Sequence, residues 1–129
     1  MRTVKTYCPA GTITPMDNFL ESLEPKLRRK IYWQIFQLTH LHPTELKEPH
    51  YKHFSLEKYN QLYELREKSK VLVRIIFTIQ GNDVILLEPF IKRQSRDTMK
   101  ALDQSLKLLA EIRKHPDRIV QFQFKEESL

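Results

Sequence analysis

The residues of this chain best suited to chemistry are cationic, and they recur at a spacing of two. Arg66 and Lys68 close one alternating stretch, Arg74 stands inside a second, and Glu88, Phe90 and Lys92 follow one another in a third. In a strand, alternate side chains share a face. Superposing the apolar faces of stretches 62–67, 71–80 and 84–91 brings Arg66, Arg74, Glu88, Phe90 and Lys92 onto one half-polar surface. Arg93 joins them if the third strand ends just before it. Guanidinium groups and an ammonium can surround a phosphate, and Phe90 can offer a ring face to a nucleobase. Glu88 is a candidate for proton transfer. A plainer reading pairs Glu64, Arg66, Arg74 and Glu88 as cross-strand ion pairs on a solvated face, each contributing under ~1 kcal/mol.

Other reactive side chains fit chemistry less well. His50 and His53 lie three apart, with His40 and His42 nearby, yet no cysteine or carboxylate cluster stands close enough to complete a zinc site. They read as surface-loop histidines, and no metal or other cofactor is expected. Cys8 has no activating base near it in sequence and reads as a quiet thiol, and one cysteine cannot form an internal disulfide. The two glycines, Gly11 and Gly81, stand apart, which excludes a Gly-rich dinucleotide turn and a P-loop.

These residues need elements to hold them. Thr3–Tyr7 alternates weakly as a short strand. Thr14-Pro15-Met16-Asp17 has the cap, first-turn proline and acidic residue of a helix start. Phe19, Leu20 and Leu23 form the apolar face of that short helix. Pro25 opens a longer one, with Leu27, Ile31, Ile35 and Leu38 on one side. The segment from Pro43 to Lys58 reads as a loop anchored by Tyr51 and Phe54. Three strands follow without room for a crossover helix, so they should be antiparallel, with Gly81-Asn82 as a hairpin turn. Val71, Val73, Ile75, Phe77 and Ile79 should pack on the helices. In the third strand Ile85, Leu87, Pro89 and Ile91 form the apolar side, opposite Val84, Leu86, Glu88, Phe90 and Lys92. Residues 97–114 return to helical period, with Met99, Leu102, Leu106 and Leu109 inward and Asp103, Lys107 and Glu111 as i, i+4 ion pairs. Residues 119–124 alternate again as an edge strand or a loose tail. The expectation is one α+β domain spanning 1–129.

In their order along the chain, Leu62-Tyr63-Glu64-Leu65-Arg66, Val73-Arg74-Ile75-Ile76-Phe77 and Leu86-Leu87-Glu88-Pro89-Phe90-Ile91-Lys92-Arg93 resemble the signature of phage-derived HigB-like toxins, within the RelE/ParE superfamily of type II toxin–antitoxin systems. That pattern runs L-Y-E-L-R, then Y-R-I-hydrophobic, then L-L-H-x-F-x-K-K, followed by a helix. Asn18-Phe19-Leu20-Glu21-Ser22-Leu23, at the head of the N-terminal helical pair, also fits the layout, and the resemblance covers about 15–113. Val73 stands where the family usually has tyrosine, and Glu88 where it commonly has histidine.

The resemblance implies a RelE-like fold, with an N-terminal helical hairpin packed on a small antiparallel sheet and a C-terminal helix. It also implies a ribosome-dependent endoribonuclease that cuts messenger RNA without a metal and is silenced by a cognate helix-turn-helix antitoxin. On that basis Arg66, Arg74 and Lys92 are the catalytic set. Phe90 stacks a base, Lys68 and Arg93 hold the RNA backbone, and Glu88 is a possible acid or base. The alternatives are a ParE-like inhibitor of DNA gyrase and a catalytically weakened phage or mobile-element accessory protein of the same fold. Composition agrees with a polyanionic partner: 129 residues carry 22 Lys and Arg against 16 Asp and Glu, a formal charge of +6. No apolar run approaches the roughly 18 residues of a membrane span. The polar segment Met1–Tyr7 lacks a signal-peptide core, so a cytoplasmic location is expected.

Overall fold

The computed structural model describes residues 1–9 and 13–125, so Gly11 lies outside the described residues. Its elements in chain order are β1 (Thr3–Tyr7), α1 (Pro15–Glu21), α2 (Pro25–Gln37), β2 (Tyr51–His53), β3 (Leu62–Lys68), β4 (Leu72–Gln80), β5 (Asp83–Lys92), α3 (Ser95–Lys114) and β6 (Ile119–Gln121).

Local chemistry explains the helix starts. The Thr14 hydroxyl accepts the Asp17 N–H at 3.0 Å, and Pro15 and Pro25 occupy first turns, where a missing N–H is harmless. Leu27, Ile31, Ile35 and Leu38 are all buried, as their spacing requires. The β4–β5 hairpin turns through Gly81 and Asn82, between the paired residues Gln80 and Asp83. Gly81 has φ of 61°, a conformation that a side chain would strain.

The sheet has six strands in the order β2-β3-β4-β5-β1-β6. The consecutive strands β3, β4 and β5 are antiparallel, as expected. The sheet as a whole is mixed, because β1 lies parallel to β5, with Thr3–Thr6 against Asp83–Leu86. β1 can enter in this way because the chain between β1 and β5 is long enough for a crossover. β2 pairs antiparallel with β3 inside the segment expected to be loop, and Tyr51 and Phe54 are its buried anchors. The 119–124 tail contributes β6, which pairs with β1.

Both faces of the sheet are covered. On one, Leu65, Val73, Ile75, Phe77, Val84 and Leu86 pack with Leu20, Ile31 and Ile35 of α1 and α2. On the other, Ile76, Ile85 and Leu87 pack with Leu102, Leu109 and Ile112 of α3. Two expectations change here. The surface opposite Val73 and Ile75 is open only at one end, since α3 buries Ile76 and Thr78. The alternation in β5 also breaks. Phe77 pairs with Leu86 and Ile76 with Glu88, so Leu87 is an extra residue, a bulge. Val84 and Leu86 therefore enter the α1/α2 core rather than the open face, while Ile85 and Leu87 face α3.

On α3 the inward residues are Ala101, Leu102, Ser105, Leu109 and Ile112, with Met99 45% exposed rather than packed. Its acidic residues reach off the helix instead of pairing along it. Asp103 meets Lys58 at 3.4 Å and Glu111 meets Arg118 at 3.5 Å. Among the described residues, Lys107 makes no ion pair within contact distance.

Candidate functional site

Strand register assembles the site. Arg66 on β3 stands directly opposite Arg74 on β4, and Arg74 opposite Phe90 on β5. One residue pair along, Glu64 faces Ile76, and Ile76 faces Glu88; on the other side Lys68 faces Leu72, and Leu72 faces Lys92. Of the seven predicted residues, all but Arg93, which follows β5, lie on one sheet face, Glu88 and Phe90 at the margin of the part covered by α3 and the others beyond it. The Leu87 bulge keeps Glu88, Phe90 and Lys92 on that face while Ile85 and Leu87 serve the α3 core.

Two guanidiniums facing each other across a strand pair repel, and a buried carboxylate holds them. Glu64 is only 1% exposed, and its Oε1 accepts Arg66 Nε at 2.8 Å and lies 3.7 Å from Arg74 Nε. Arg66 also donates from one terminal nitrogen to Glu48 at 2.8 Å, and Arg74 donates from one of its own to the Val73 carbonyl at 3.2 Å. The other terminal nitrogen of each arginine has no hydrogen-bond partner among the described residues. Burial lowers the Arg74 guanidinium pKa, Glu64 opposes that shift and Arg66 adds to it. The plainer reading holds in that Glu64 pairs with Arg66 and Arg74, but Glu64 is buried rather than set on a solvated face. The carboxylate serving Arg74 is Glu64, and Glu88 makes no ion pair among the described residues.

The predicted residues divide between two adjoining concavities. One, of about 370 Å³, is lined by Glu48, His50, Arg66, Lys68, Leu72 and Arg74, among others. The second, of about 570 Å³, lies between the end of β5 and the start of α3, lined by Glu88, Phe90, Arg93, Asp97, Lys100 and Gln104. The Arg74–Phe90 pair joins them. Lys92 lines neither. At the β5–α3 junction the Asp97 carboxylate accepts the backbone N–H groups of Arg93 at 2.8 Å and Gln94 at 3.0 Å. Those bonds hold its pKa below the usual carboxylate range and fix the chain beside Phe90. Burial pushes the Glu88 carboxyl above that range.

The histidines separate. His53 stacks on Tyr63 with ring centroids 4.6 Å apart, and His42 accepts the Thr44 N–H at 3.2 Å. Among the described residues no group of three or more His, Cys, Asp or Glu is placed to hold a metal ion. His50 is different. Its carbonyl accepts the Arg66 N–H at 2.7 Å, which sets the turn just before β2 across from Arg66, and His50 lines the same concavity as Arg66 and Arg74. Sequence reading missed this, because a three-residue strand is too short for its alternation to be recognised.

The arrangement can bind a phosphate on paired guanidiniums with an aromatic ring beside it. A family model described as "Phage derived protein Gp49-like (DUF891)" matches residues 18–115. No curated protein and no solved structure matches the chain.

Proposed function

The chain belongs to the phage-derived Gp49-like family, a toxin-like family of RelE/HigB type, and from that premise we propose that it is the HigB-like toxin of a type II toxin–antitoxin pair and cleaves messenger RNA on the ribosome. The observation that carries this reading is the Arg66–Arg74 pair, tethered to one buried glutamate, with outward donors lining a concavity and Phe90 next in the row.

In RNA cleavage the ribose 2′-oxygen attacks the adjacent phosphate, and negative charge grows on the non-bridging oxygens. Donors fixed before the reaction stabilise that charge without reorganising, and removing one typically costs about 10²- to 10³-fold in rate. Glu64 does the fixing here. It holds Arg66 by Nε while Glu48 takes one terminal nitrogen, which leaves the other without a partner among the described residues, and it offsets part of the desolvation of Arg74. A planar guanidinium can bond two phosphoryl oxygens at once. Lys92 adds charge from β5, Lys68 and Arg93 hold flanking phosphates, and Phe90 stacks a base. The silencing partner is an antitoxin with a helix-turn-helix.

The test is induced expression in bacteria with separate pulse labelling of protein, RNA and DNA. Protein synthesis should fall first, and Arg74→Ala should abolish the fall. A DNA-damage response with translation intact would favour gyrase inhibition instead. No effect on any label, from a folded protein, would favour the accessory-protein reading.

A further inference from the structure

The cavity in front of the arginine pair has a base that the motif pattern does not supply. Of its lining groups, Arg66, Arg74 and Lys68 are cations. Glu48 is engaged by Arg66 at 2.8 Å. Glu67 pairs with Val73 in register, so it points to the helix-covered face, where Gln34 donates to it at 3.5 Å. Glu64, beneath the cavity, is buried against both guanidiniums. That leaves His50, which is exposed and has no side-chain hydrogen bond among the described residues.

One backbone hydrogen bond and the shared cavity fix where it stands. His50, in the turn before β2, lies across from Arg66, and Arg66, Arg74 and Phe90 continue the row across three strands. At the usual interstrand spacing the row is about 14 Å long. With the downstream nucleotide stacked on Phe90 and the scissile phosphate on the arginines, in-line attack puts the 5′ leaving oxygen on the Phe90 side and the attacking 2′-oxygen of the upstream ribose on the His50 side. Imidazole is the side chain most often used for proton transfer near neutral pH.

We propose that His50 is the general base of the cleavage reaction, a role that rests on the endoribonuclease reading above. The neutral imidazole takes the proton of the 2′-hydroxyl. The 2′-oxygen bonds to phosphorus, the bond from phosphorus to the 5′-oxygen breaks, and that oxygen takes a proton from water. The products are a 2′,3′-cyclic phosphate and a 5′-hydroxyl, and the imidazolium returns its proton to solvent. Glu88, which stands where a histidine is common in the family signature, is not needed as the base.

The experiment measures single-turnover cleavage of a defined messenger RNA on programmed ribosomes by the full chain, His50→Ala, His50→Gln and Arg74→Ala. Both His50 variants should cleave about 10²- to 10⁴-fold more slowly. Ribosome affinity and melting temperature should hold, because Arg66 bonds the His50 backbone rather than its ring. Added imidazole should restore part of the His50→Ala rate and none of the Arg74→Ala rate. A substrate with sulfur at the 5′ leaving position, which needs no proton, should leave the His50→Ala defect in place. Restoration by that substrate would make His50 an acid and overturn the assignment. His50 variants that cleave at the parent rate, while Arg74→Ala does not, would overturn it and leave the endoribonuclease intact. A parent protein that cuts no RNA would overturn both.

Discussion

Arg66→Ala and Arg74→Ala should differ in stability although both remove a guanidinium from the same site. Glu64 is 1% exposed and is held unequally, by Arg66 at 2.8 Å and by Arg74 at 3.7 Å. Removing Arg66 leaves a buried carboxylate facing one distant counter-charge, and breaking a buried pair costs roughly 3–5 kcal/mol. The Arg66 side chain is 21% exposed, so water can follow it out and the lower end, about 3 kcal/mol, applies. Removing Arg74 keeps the 2.8 Å bond, relieves the repulsion between the guanidiniums and frees a charge that burial disfavours. The Arg74 side chain is only 11% exposed, so what is lost is chiefly the packing of its stem, and with the repulsion relieved the net cost should stay at about 1 kcal/mol. For a chain of this size each kcal/mol shifts Tm by about 4 °C, so Arg66→Ala should melt about 12 °C lower and Arg74→Ala no more than about 4 °C lower. Arg74→Ala should nonetheless lose about 10²- to 10³-fold in cleavage. Arg74→Lys should recover only part, because lysine keeps the charge and loses the fork. Thermal unfolding and ribosome-dependent cleavage on the same preparations make the comparison. A stable, fully active Arg74→Ala would remove Arg74 from the site. An Arg74→Ala that melts as low as Arg66→Ala would refute the unequal tether.

Three further outcomes follow from the same geometry. Burial raises the Glu88 pKa, so the folded state holds that proton more tightly than the unfolded chain; the resulting stability is complete below the unfolded pKa and lost as pH rises through the folded one. Glu88→Gln should therefore melt higher than the parent at pH 7 and level with it in acid, and an equal or lower Tm at pH 7 would show that the ionised carboxylate is not strained by burial. Ribosome affinity should fall with salt at a log–log slope of about −0.7 to −0.9 per phosphate contact, and Lys68→Ala and Arg93→Ala should each flatten it by about one contact. A slope already near zero in the parent would sink the RNA-surface reading. Phe90 packs partly against the α3 core, so Phe90→Leu should keep its Tm while losing the ~1–3 kcal/mol of base stacking as weaker RNA binding; unchanged binding would assign Phe90 to packing alone.

The sequence by itself determined every element whose signal is local. The Thr14-Pro15 start, the 27-31-35-38 stripe of α2 and the Gly81 turn each follow from side-chain chemistry within a few residues and stand as expected, as does the apolar row of β4 from Val73 to Ile79. Val71, by contrast, precedes the strand and is exposed rather than packed on the helices. Placing Arg66, Arg74, Glu88, Phe90 and Lys92 on one face was legible too. That reading nevertheless misplaced Val84 and Leu86, because alternation cannot be carried through an extra residue such as Leu87. What only the tertiary structure decided is non-local. β1 pairs parallel with β5, a strand far along the chain, and no local pattern in either strand reports that pairing. Burial of Glu64 depends on the strands on either side of it, so its change from a surface partner to a desolvated anchor has no counterpart in its sequence neighbourhood. His50 enters the arginine row through a single backbone hydrogen bond to Arg66, and α3 covers half of a face that its strands alone would leave open. Periodicity reports which side of its own element a residue occupies. Only register and layer packing determine what lies across from it.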